Sequence, residues 1–157
     1  MKLFFRLAIL VPIGLCTVLL CEAASCSVST SGVAFGQYDP FNGQMVESSG
    51  NITITCTGTL GETVSYQIRL STGNGTYVNR KFSSSSSSAG YNLYRDLGRS
   101  EIWGDGTSGT VIVTDSYSVV QLTPIVRTYT VYGRMNGGQT QAAASSYLEN
   151  LTVTLTY

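Results

Sequence analysis

Residues 151–157 read LTVTLTY. Leu151, Val153, Leu155 and Tyr157 fall on one side of that segment, and Thr152, Thr154 and Thr156 on the other. Only an extended strand turns a period of two into one apolar and one polar face. The same alternation sets Ile52, Ile54 and Cys56 against Thr53 and Thr55, and Val64, Tyr66, Ile68 and Leu70 against Ser65, Gln67 and Arg69. No segment carries a helical stripe. Further strands are predicted over 28–35, 91–94, 111–113, 119–125 and 128–132, separated by turns rich in glycine, asparagine and serine. Short strands with frequent turns predict one all-β domain, an antiparallel sandwich without internal repeats. A long strand at the end of a chain needs a neighbour on each side, or one backbone edge stays open above an apolar face. Two readings follow: a strand from elsewhere in the chain covers that edge, or a partner supplies one.

The first residues read as a targeting segment. Lys2 and Arg6 precede an apolar run over 7–20, and Cys21-Glu22-Ala23 offers a cleavage pattern, so residues 1–23 are expected to be a signal peptide and 24–157 the folded domain. The apolar run is shorter than the ~20 residues of a membrane span, so none is expected in the mature chain. Acylation at Cys26 is disfavoured because no large aliphatic residue stands three positions before it. Losing the leader removes Lys2, Arg6 and Glu22, and the remaining charges nearly cancel. Such a surface has no electrostatic hold on a phosphate backbone, which argues against nucleic-acid binding. Cys16 and Cys21 leave with the leader. Cys26 and Cys56 remain as an even pair in an exported chain and are predicted to form a disulfide. Two cysteines without histidine cannot complete a metal shell, and no cofactor is expected.

The chain contains no histidine, which removes the commonest general base and nucleophile activator. Asp96, Glu101 and Asp105 with Arg80, Arg95 and Arg99 could supply a glycosidase-like carboxylate pair. The competing reading, surface ion pairs among turn residues, is preferred, and no enzyme is expected. Tyr91, Tyr94 and Trp103 are candidates for stacking on a sugar or a host surface, against the plainer reading of packing within the sandwich. Residues 83–88 are all serine and read as a loop between strands. The Asn51, Asn74 and Asn150 triplets of the N-x-[ST] type are read as chance in a threonine-rich chain.

Taken together and in order, "CSVSTSGVAFGQYDP", "GNITITCTG", the segment around Arg80, "YNLYRDLGRSEIWGDGT", "VYGRM" and "YLENLTVTLTY" resemble the spore coat protein U domain. That family includes pilin subunits of archaic, Csu-type chaperone-usher pili. The resemblance covers the chain from Cys26 to Tyr157. It implies an incomplete immunoglobulin-like β-sandwich lacking its last strand. In the family a periplasmic chaperone lends that strand, and the N-terminal extension of another subunit later replaces it. The implied function is that of a structural subunit of a surface fibre or spore coat, exported through the periplasm, with a chaperone, an outer-membrane usher and other pilins as partners. The donor-strand groove is expected beside Leu151, Val153, Leu155 and Tyr157, with Ile52, Ile54, Tyr66 and Ile68 as its floor. Only Ala24 and Ser25 would precede Cys26 after cleavage, too little for a donor extension, so a tip or initiating position is expected. The alternative is a self-contained secreted module that binds a carbohydrate or surface through its aromatic turns.

Overall fold

The computed structural model describes residues 23–83, 87–140, 142 and 147–157. Of the expected signal peptide only Ala23 is among them, and residues 84–86 of the serine run lie outside. The described residues form strands and no helix: β1 (Ser25–Ser31), β2 (Val46–Thr57), β3 (Thr63–Leu70), β4 (Gly75–Thr76), β5 (Asn79–Ser83), β6 (Ser88–Tyr94), β7 (Val113–Ser118), β8 (Ile125–Met135) and β9 (Val153–Thr156). They build a six-stranded sheet in the order β1-β2-β8-β6-β5-β4 and a three-stranded sheet in the order β7-β3-β9. Every strand pairing is antiparallel.

The core lies where the alternating rows of the two sheets meet. Val64, Tyr66, Ile68 and Leu70 of β3 are each buried to within 2%. Opposite them stand Ile52, Ile54 and Cys56 of β2, Leu93 of β6, and Val131 and Met135 of β8. Cys26 and Cys56 face one another in register across β1 and β2 and are disulfide-bonded. By loop entropy, a bridge over 30 residues stabilises the fold by about 3 to 4 kcal/mol.

Three of the strands predicted from alternation fall elsewhere. The first runs over Ser25–Ser31 rather than 28–35; Gly32 to Phe35 instead turn across the sheet, where a Cβ on Gly133 would sit 2.6 Å from the Phe35 ring and one on Gly50 2.6 Å from the Ser31 carbonyl. Residues 119–125 form a loop up to Ile125, because Val119 bonds to the Glu62 turn and Val120 and Leu122 are exposed. Residue 111 makes only an isolated bridge, to Trp103, and the strand in that region is β7.

The inward row of β7 is Val113, Asp115 and Tyr117, and a carboxylate in its middle hides the apolar alternation. Asp115 Oδ2 accepts from the Tyr129 hydroxyl at 2.5 Å, and Tyr129 stands 2.7 Å from the Tyr66 hydroxyl. Arg127 approaches the same oxygen at 3.7 Å. This clasp ties β8 of the larger sheet to β3 and β7 of the smaller. The Tyr129 hydrogen bond holds Asp115 below the ordinary carboxylate range against the opposing effect of burial, with the Ser116 amide and Arg127 assisting. A depressed folded-state pKa gives stability that is present at neutral pH and lost as pH falls through that value. Asp115→Asn is therefore expected to flatten the acid limb of a stability–pH curve below about pH 5. Glu62, Asp96 and Asp105, also held low, leave a residual slope. Urea titrations at stepped pH measure it, and an unchanged limb would contradict the clasp.

Candidate functional site: the groove beside β9

In the smaller sheet β3 is paired on both sides, with β7 and with β9. Among the described residues β9 pairs with β3 alone, so its other backbone edge is open. The inward row above that edge is poorly covered. Leu151, Val153 and Leu155 are each half-buried, whereas the equivalent row of β3 is sealed. Here lies a groove of about 230 Å3. The smaller sheet contributes Leu70, and Glu149 to Leu151 with Val153 form one wall. Thr30 to Val33 and Phe35, at and beyond the end of β1, form the other. Ile52, Val131, Leu93, Tyr91 and Phe82 of the larger sheet lie between. Phe82 stacks on Tyr91 with centroids 4.2 Å apart, and Phe35 meets both rings edge-on at 6.0 Å. An extended segment laid along β9 would gain backbone hydrogen bonds from the open edge and bury alternate side chains in this groove.

The two edges of the smaller sheet differ in chemistry. The inward row of β7 carries Asp115, and an inward charge on an edge strand discourages a further strand from adding. Within β9 itself the inward residues are Val153 and Leu155, continued upstream by Leu151, and the nearest inward charge, Glu149, lies outside the strand.

Of the residues predicted for the groove, Ile52, Leu151 and Val153 line it. Leu155 continues the same row opposite Ile68. Tyr157 lies past the end of β9 and is 58% exposed. Ile54, Tyr66 and Ile68 are placed differently: they are sealed in the core between the sheets, away from the groove lining. Val33, Phe35, Phe82 and Glu149 were missed. Glu149 was legible, since it continues the alternation of Leu151 and Val153 two residues upstream.

The aromatic segment serves the interior. Trp103 is 0% exposed and Tyr91 4%, so neither can present a ring to a sugar or host surface. Tyr94 is half-buried, and the Arg134 guanidinium lies over its ring, 5.9 Å from the centroid. Trp103 donates its indole N–H to the Ile68 carbonyl at 3.2 Å and its backbone N–H to Leu93 at 3.0 Å. Arg80, read from sequence as a surface charge, is fully buried. Its guanidinium donates to the Ser71 carbonyl at 3.0 Å, the Trp103 carbonyl at 2.8 Å and Asn92 Oδ1 at 2.7 Å. Burial pulls its pKa below the usual arginine value.

The carboxylates weighed as acid–base groups fasten turns. Asp96 accepts from the Ser100 and Glu101 amides, Asp105 from the Thr107 amide and hydroxyl, and Glu101 pairs with Arg95 at 2.6 Å. The Glu101 amide and the Thr107 hydroxyl hold Asp96 and Asp105, respectively, below the ordinary range, the reverse of what a glycosidic general acid requires. Among the described residues no cluster of three or more metal-ligating side chains occurs, and no helix is long and apolar enough to cross a membrane.

The family model of the Spore Coat Protein U domain matches residues 13–154. Among solved structures, the chaperone–tip adhesion subunit pre-assembly complex from archaic chaperone-usher Csu pili of Acinetobacter baumannii contains a chain similar in fold, at 18% identity and a TM-score of 0.54. The alignment covers 85% of this chain and 40% of that one. A chaperone–tip adhesin complex of CFA/I fimbriae aligns at 14% identity and a TM-score of 0.49, over 83% of this chain and 42% of that one. The chain thus spans less than half the length of the solved chains it matches. No curated protein matches it by sequence.

Proposed function

The chain belongs to the Spore Coat Protein U domain family, and from that membership we propose that it is a structural subunit of a surface fibre of the archaic chaperone-usher kind, or of a coat built the same way. The observation that carries the proposal is the open edge of β9 above a half-buried apolar row. A strand supplied by a second protein completes the sandwich along that edge. The donor's main chain pairs with β9, and its alternate side chains fill the groove. A periplasmic chaperone is the first donor, a neighbouring subunit the later one, and an outer-membrane usher the site of exchange. The protein passes through the periplasm to the cell surface after loss of residues 1–23. From Ser25 onward the chain is engaged in β1, so cleavage after Ala23 leaves it no segment to donate. On that cleavage we propose a position at the end of a fibre, as a tip or initiating subunit.

Native mass spectrometry of the protein purified from the envelope of its host, tagged within residues 83–88, tests this reading. A one-to-one complex with a second protein is the expected result, and the subunit mass reports the cleavage position. Val153→Asp places a charge in the groove and is expected to abolish the complex, while Thr154→Asp, on the exposed face of the same strand, retains it. A protease-resistant monomer would mean that the sandwich closes on itself and acts as a self-contained binding module.

A further inference from the structure

We propose that the strand occupying the groove carries a basic residue, lysine or arginine, at the inward position level with Glu149. This rests on the strand-acceptor reading and specifies the chemistry of the partner. The inward row approaching β9 begins with a carboxylate: Glu149, Leu151, Val153 and Leu155 are all half-buried, while Leu148 before them and Asn150, Thr152 and Thr154 between them are exposed. Among the described residues Glu149 is the one charged residue in the groove lining.

The carboxylate is positioned rather than free. One oxygen accepts the Asn74 amide and the other the Tyr91 hydroxyl. Gly73, at φ +60°, brings the turn so close that a Cβ there would collide with the carboxylate. These two donors leave acceptor capacity on a group with about four lone-pair sites. The buried cation behind it, Arg80, spends its hydrogen bonds on Ser71, Asn92 and Trp103; it attracts Glu149 at a distance but makes no direct ion pair with it among the described residues. A wholly apolar strand would strip water from this carboxylate and give nothing back, a costly burial. A lysine or arginine head at that level supplies a charge-assisted hydrogen bond.

Synthetic strands long enough to span the groove, with leucine or valine alternating with threonine, make the test. They carry lysine, leucine or glutamate at the last inward position, placed at either end to cover both strand directions. Calorimetric titration of the unaltered chain should rank lysine over leucine by about tenfold, with glutamate weakest. The preference should vanish in Glu149→Gln. Leucine binding as tightly as lysine would overturn the inference and leave the groove reading intact. Failure of every peptide to bind or to raise the melting temperature would overturn both. The ranking is measured on the native sequence, so the test does not depend on the variant folding.

Discussion

Replacing Trp103 with alanine is expected to cost about 3 to 5 kcal/mol of stability and to lower the melting temperature by about 10 °C or more. Among the described residues the ring is the largest side chain wholly removed from solvent. It sits between the sheets, its backbone fixed to Leu93 of β6 and its indole to the Ile68 carbonyl of β3. Truncation therefore opens a cavity and also orphans a buried acceptor, and the two losses add. Trp103→Phe keeps most of the buried area while losing the donor, so it should fall roughly midway. Urea unfolding with the slope held common across the three proteins measures the difference. A loss under about 1 kcal/mol for alanine would mean that the segment is peripheral.

Arg80→Ala is expected to be as damaging, about 3 to 5 kcal/mol, because it strands buried acceptors from several parts of the chain. The guanidinium joins the Ser71 carbonyl after β3, the Trp103 carbonyl and the Asn92 side chain of β6. Asn92 in turn donates to Tyr77 and accepts from Leu93. One planar fork thus satisfies groups belonging to both sheets. Arg80→Lys should recover less than half of the loss, since a single ammonium cannot reach partners spread around a guanidinium. Because Arg80 and Trp103 touch, the double variant should lose less than the two single losses combined. Full rescue by lysine would show that charge alone, rather than fork geometry, is what the site requires.

The central strands were legible because their alternation is apolar without interruption, as along β3 and the core half of β2. β7 was missed for the opposite reason: its middle inward residue is Asp115, which the hydroxyls of Tyr129 and Tyr66, with Arg127 and the Ser116 amide, make tolerable there. The short β4 and β5 hairpin was hidden by Arg80, an inward residue that reads as a surface charge until its partners are known. At the groove, the β9 wall could be read from period two. The opposite wall could not, since Val33 and Phe35 reach it by a turn over Gly50 and Gly133 that no local pattern announces. The aromatic segment allowed two readings, because tyrosine and tryptophan look alike as ligand-stacking and as core residues, and the burial of Trp103 and Tyr91 agrees with the plainer one.

The unequal edges of the smaller sheet bear on stoichiometry. A sheet receptive at both ends keeps a site free after every addition, so its growth has no natural stopping point. Asp115 makes one end inhospitable and leaves β9 as the other. On the proposed strand-acceptor reading such a sheet would have a valence of one: it would take up a single strand and then be saturated, so that occupancy, rather than concentration, would set how far assembly proceeds through it.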